Sequence, residues 1–224
     1  DEAQLQHAIP AVVGFVDYFR ELIEKRRTRL RDDVLSALVA AESEGDRLSL
    51  PELFAMVILL FIAGHETTTN LIGNGTLALL RNPDQFAALC ADPSLAAAAT
   101  EELLRYDPTV QVTARTATAE LEVNGIPLAR GESVVLGLAS ANRDPRFVAD
   151  PDQLRLARGA PTHLAFGHGM HHCLGAPLAR MEGQIVFATL ARRFPRMCLA
   201  TEDPPYREHF VLRGLASLPV SLQG

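Results

Sequence analysis

Residues 166–175 read Phe-Gly-His-Gly-Met-His-His-Cys-Leu-Gly and place one cysteine, Cys173, among three glycines just ahead of a helical stretch. Glycine accepts positive φ and lets a backbone approach a flat ligand closely, so Gly167, Gly169 and Gly175 would let the main chain pass beneath one. A thiolate at a helix N-terminus is favoured by the helix dipole and the free N–H groups there, which equips Cys173 to ligate a metal. Two other readings compete. A free cysteine in a glycine-rich turn explains Cys173 taken alone. A zinc site drawn from His163, His168, His171, His172 and Cys173 has poor spacing, because structural zinc takes its ligands from two separated pairs. His65-Glu66 begins like a zincin motif but has Thr69 where the second histidine is needed.

A second constellation lies at residues 63–69, Ala-Gly-His-Glu-Thr-Thr-Thr, inside the most apolar helical stretch of the chain. Gly64 forfeits up to about 1 kcal/mol relative to alanine in a helix. A buried Glu66 carboxylate would cost several kcal/mol more unless paired or hydrated. A helix with a purely structural task would rarely keep both. Thr68 and Thr69 read as hydroxyls bonded back to helix carbonyls, and His65 as packing or surface. Glu102 and Arg105, three apart on a predicted helix, would by themselves be a surface ion pair worth a few tenths of a kcal/mol.

Taken together, these segments resemble the cytochrome P-450 superfamily of haem-thiolate monooxygenases, in its bacterial soluble form. Residues 166–175 match its F-G-x-G-x-H-x-C-x-G signature at each fixed position. The resemblance implies that Cys173 ligates the iron of haem b and that His171 bonds a haem propionate, with Phe166, Gly167, Gly169 and Gly175 shaping the cofactor loop. Residues 63–69 are similar to the family's oxygen-activating groove: Ala63 and Gly64 open space, and Glu66 and Thr67 are the acid and alcohol that deliver protons. Proton delivery needs a hydroxyl that can hold water and an acid linked to solvent. Glu102-x-x-Arg105 is the third signature, with Arg158 as a third structural partner. Arg115 matches the propionate-binding arginine, whose fork suits a carboxylate. Ile62, Val110, Val112 and Thr113 should touch substrate and say only that it is largely apolar.

The elements that must position these residues are mainly helical. Apolar residues recur at helical spacing from Val12 to Ile23, so residues 9–41 are expected to form one or two amphipathic helices. Ser49 and Glu52 form a capping-box signature with Pro51 in the first turn, and a long helix should run from there to Arg81. Shorter helices are expected over 82–90 and 95–106, the latter stopped by Asp107-Pro108. Residues 110–138 alternate β-branched and polar types around the hairpin signal Asn124-Gly125. Residues 142–162 lack periodicity, a helix follows over 176–194, and the last twenty residues read as short strands. The expected fold is α+β, mainly α with small sheets and P-450-like. It would form one partial domain over 1–224, because the resemblance matches only the second half of the family's domain.

Composition bounds the rest. The 224 residues are 48% hydrophobic with a formal charge of −6, which offers no basic field for nucleic acid. Cys90, Cys173 and Cys198 form no disulfide pattern and suit a reducing, cytoplasmic setting. The apolar run 53–63 is about half of the roughly 20 residues that cross a bilayer, so a buried helix is expected there instead. No dinucleotide fingerprint is present, so the resemblance implies a ferredoxin-like electron donor with its reductase, O2 and an apolar small molecule. A truncated haem carrier or sensor without turnover is the alternative, and a cofactor-free helical scaffold the third possibility. The absent first half should leave apolar faces bare, to be covered by the remainder of a longer protein or by a second copy.

Overall fold

The structure, a computed structural model, describes residues 2–43, 48–159 and 162–223. Its chain divides into two compact units, residues 1–63 and 64–224. In the first, α1 (Glu2–Thr28) and α2 (Val34–Ser43) precede α3 (Leu50–Arg81), which runs on into the second. Phe19, Ile23, Val39, Leu53 and Val57 form the first unit's core. Asp33 starts α2: its carboxylate accepts the Ser36 N–H at 2.8 Å and pairs with Arg26 at 2.8 Å. That guanidinium and Ser36 hold its carboxyl well below the usual range. The expected cap of α3 is half of a reciprocal box, with the Glu52 carboxylate accepting both the Ser49 N–H and its hydroxyl at 2.7 Å.

In the second unit α3 is followed by α4 (Pro83–Ala91), α5 (Ala96–Tyr106) and, after a short helix α6 (Leu138–Ala141), by α7 (Ala176–Arg193). By length and composition α3 could cross a membrane; its run 53–63 is not the buried helix expected, since Leu53 and Val57 are buried but Leu59, Phe61 and Ile62 are exposed. Its second half is instead core: Leu71, Leu77, Ala78 and Leu79 are buried, and Asn74 donates to the Arg213 carbonyl at 3.0 Å.

Small residues set how closely these helices approach. A Cβ on Gly75 would lie 2.5 Å from Cζ of Phe187, whose ring is fully buried, and one on Gly183 would lie 2.8 Å from Cγ2 of Thr100. Gly75→Ala therefore overpacks the core at a cost of about 1–3 kcal/mol, against up to about 1 kcal/mol that alanine recovers in a helix interior. A lowered urea midpoint is the expected result.

The sheets are small, as the alternating pattern implied. β1 (Val112–Thr116) pairs antiparallel with β4 (Ser133–Gly137), and β2 (Leu121–Val123) with β3 (Ile126–Leu128). Asn124 and Gly125, at φ 52° and 81°, make the two-residue turn between β2 and β3. This left-handed pair matches the twist of the strands it joins. The chain's end contributes less strand than its composition suggests: β5 (Cys198–Leu199) pairs with β6 (Val220–Ser221), and only single bridges join Val110 to Leu212 and Tyr206 to Leu215. Residues 142–162 carry one 3-10 turn, Leu156–Arg158, and positions 160–161 of that expected loop lie outside the described residues.

Candidate functional site

Cys173 sits three residues ahead of α7, exposed, in a turn closed by its own N–H donating to the Phe166 carbonyl at 2.9 Å. The His172 N–H donates to the Gly169 carbonyl at 3.0 Å, making a single 3-10 turn over Gly169–His171. Gly167 and Gly169 have φ of 69° and 76°, where a side chain would be strained. Gly175 departs from that expectation, with φ −80°. A Cβ there would stand 3.9 Å from the Cys173 sulfur, an ordinary contact, so neither backbone nor space requires glycine at this position. Met170 and Leu174, 93% and 85% exposed, flank the cysteine together with exposed His171.

At the polar interruption of α3, Glu66 faces Arg207 at 3.7 Å with both side chains partly in solvent. Such a loose pair is worth little to stability and leaves the carboxyl linked to water. The Thr67 carbonyl accepts the Thr109 hydroxyl at 3.1 Å. The Gln111 N–H donates to Val211 at 2.9 Å and the Arg213 N–H to Thr109 at 2.7 Å. These bonds hold Thr109 against Thr67 and tie Val110 to the C-terminal segment at Leu212. A Cβ on Gly64 would meet nothing within 4 Å. His65 is exposed. The back-bond expected of both later threonines is recorded for Thr69, to the His65 carbonyl at 2.8 Å, and not for Thr68. Ile62 and Ala63 fall in the first unit, Ile62 exposed.

Arg115 projects from β1, where Val112 and Thr113 pair with Gly137 and Leu136. Its Nη1 donates to the Ala114 carbonyl at 2.8 Å and to Thr113 Oγ1 at 3.2 Å, which leaves Nε and Nη2 for an anion.

Glu102 and Arg105 form no surface pair: both side chains are 0% exposed. Arg105 donates Nε and Nη2 to the two Glu102 oxygens at 2.8 and 2.9 Å, and Nη1 to the Asn142 and Pro151 carbonyls at 3.0 and 2.8 Å. Arg158 reaches the same carboxylate at 3.2 Å, and the Arg155 N–H at 3.1 Å. Spacing alone could not reveal this burial.

Sequence reasoning missed the neighbouring carboxylate. Glu101 accepts from Arg180 at 2.7 and 3.1 Å and from His163 at 3.1 Å. His163, weighed above only as a zinc ligand, is thereby committed to a carboxylate. The signal available was Glu101 itself, one residue from Glu102 and therefore pointing about 100° away around the helix.

The chain matches the Cytochrome P450 family over residues 3–223. It is 46% identical over 215 residues to the polyketide biosynthesis cytochrome P450 PksS of Bacillus subtilis, covering 95% of this chain and 53% of that protein. It is 48% identical to cytochrome P450 107B1 of Saccharopolyspora erythraea, covering 98% and 55%. Among solved structures, the tirandamycin C-bound P450 monooxygenase TamI superposes with a TM-score of 0.91 at 48% identity, over 96% of this chain and 55% of that one. The chain belongs to the cytochrome P450 family, whose members bind haem b, and it has that family's mainly helical fold with small sheets. It spans about half the length of the curated relatives it matches.

The residues present fit a haem. Cys173 offers an exposed sulfur from a turn whose left-handed glycines allow close approach, and Arg115 keeps free donors for a propionate.

Proposed function

We propose that this chain is the haem-bearing part of a monooxygenase that inserts one oxygen atom from O2 into an apolar organic substrate. The observation that carries the reading is the Cys173 turn, with its exposed sulfur, left-handed Gly167 and Gly169 and the bond from Cys173 N–H to the Phe166 carbonyl. Cys173 would be the iron ligand, Phe166, Gly167, Gly169 and Gly175 the cradle, and His171 and Arg115 the propionate contacts. When bound, haem would supply O2 binding and O–O cleavage, which thiolate ligation favours.

The protein's own part is positioning and proton delivery. Glu66, linked to solvent beside Arg207, takes up protons, and the Thr67 hydroxyl passes them on. Val110, Val112 and Thr113, with Gly64 on α3, supply the lining on the substrate side. Its relatives include a vitamin D(3) 25-hydroxylase and a 6-deoxyerythronolide B hydroxylase, which favours a bulky apolar molecule as substrate class. Electrons come from a ferredoxin-like donor and its reductase. A cytoplasmic setting suits the three free cysteines. Leu178, Met181 and Ile185 leave an apolar face of α7 exposed, and we read it as covered by further chain of the same protein, as the relatives' length suggests.

The test is turnover by the haem-loaded protein with a ferredoxin system and a panel of apolar substrates. Thr67→Ala is expected to keep cofactor reduction while diverting most reducing equivalents to hydrogen peroxide. Undiminished coupling of electrons to product in that variant would remove Thr67 from the relay. Haem binding without turnover of any substrate would favour a carrier or sensor.

A further inference from the structure

Two adjacent carboxylates on α5 serve two different loops. Glu102 binds Arg105 and Arg158 and so holds residues 142–158. Glu101 faces the segment that leads to the cysteine. Its two oxygens accept Nε and Nη2 of Arg180, on the first turns of α7, at 2.7 and 3.1 Å. The second oxygen also lies 3.1 Å from Nε2 of His163, whose side chain is 3% exposed. Nδ1 of that ring accepts the Ala165 N–H at 3.2 Å, which assigns the ring proton to the nitrogen facing Glu101. The Arg180 guanidinium lies 4.7 Å over the Phe166 ring, and the Leu164 N–H donates to Asn142 at 2.6 Å. Burial pushes the Glu101 carboxyl up, but the bonds from His163 and Arg180 prevail and hold it at about 2. The Glu101 carboxylate is therefore charged at neutral pH and engaged on both oxygens.

The link to the ligand is short. Phe166 is pinned on its ring by Arg180, and its carbonyl receives the N–H of Cys173. Movement of Phe166 would thus move the turn from which the sulfur projects.

We propose that Glu101, His163 and Arg180 are positioning residues for the Cys173 thiolate, fixing the turn through Phe166. The proposal rests on reading Cys173 as the iron ligand. Arg180→Lys keeps the charge but loses the fork and the planar face laid on Phe166. His163→Ala removes the donor to Glu101, whereas His163→Gln retains an N–H that can reach it.

Two readouts test it: amide hydrogen exchange across residues 164–175 in the haem-free protein, and the carbon-monoxide difference spectrum of the reduced, haem-loaded protein. His163→Ala and Arg180→Lys are expected to speed exchange at Cys173 about tenfold or more while α5 and α7 amides keep their protection. The same variants should shift part of the thiolate-type band to the position of a protonated or lost sulfur ligand, with His163→Gln restoring both readouts. Should His163→Ala not fold, Arg180→Lys carries the test. A wild-type thiolate band with variants unchanged in both readouts overturns the positioning role. A wild type that holds haem without such a band overturns the ligand reading itself, and the positioning of the sulfur with it.

Discussion

Cys173→Ser is expected to abolish the thiolate-type band in the carbon-monoxide difference spectrum and to lower turnover at least about a hundredfold, equivalent to about 2.7 kcal/mol of barrier. The ligand must bind as an anion, and a serine hydroxyl stays protonated at neutral pH where a thiol beside a metal does not. The fold should be spared. The Cys173 side chain is exposed, and the bond that closes its turn runs from the backbone N–H to Phe166, which serine also supplies. A variant with native circular dichroism and no thiolate band is the expected outcome. A variant that keeps the band would show that another residue holds the iron.

Arg105→Ala is the substitution expected to cost most stability. It strips a fully buried carboxylate of its bidentate partner and leaves the carbonyls of Asn142 and Pro151 without their donor. Breaking a buried ion pair from one side costs about 3–5 kcal/mol. Set against a total stability of about 5–15 kcal/mol for an ordinary domain, that loss is enough to depopulate the native state or prevent haem retention. Arg105→Lys should be nearly as damaging, because an ammonium cannot span both Glu102 oxygens and two carbonyls at once. Glu102→Ala with Arg105→Ala should cost less than the sum of the two single changes, since the pair shares one network. Urea unfolding of these variants and of Glu102→Ala alone measures each effect. An Arg105→Ala midpoint within about 1 kcal/mol of wild type would mean that the network adds little.

Much of the site was legible because its chemistry is written in consecutive residues. The Phe166–Gly175 pattern specifies a turn, an exposed cysteine and a helix start within ten positions, and short-range sterics suffice to realise it. The Asn124-Gly125 hairpin and the Ser49/Glu52 cap belong to the same local category, and the structure records both, the cap in half-reciprocal form.

What the sequence by itself determined, then, was the family, the cysteine turn and the kinds of element around it. Only the tertiary structure decided which charges are buried and which meet. Glu102 and Arg105 have the spacing of a solvent pair, and their 0% exposure follows from a loop that returns 56 residues later with Arg158. His163 looked like one of several histidines near a cysteine until the fold brought Glu101, 62 positions away, against its ring. Gly75 and Gly183 are unremarkable in sequence and acquire meaning from Phe187 and Thr100 across a helix contact. Local pattern dictates backbone conformation, because φ, ψ and capping depend on near neighbours. Burial and pairing depend on which distant segments close upon each other, and that is settled only when the core forms.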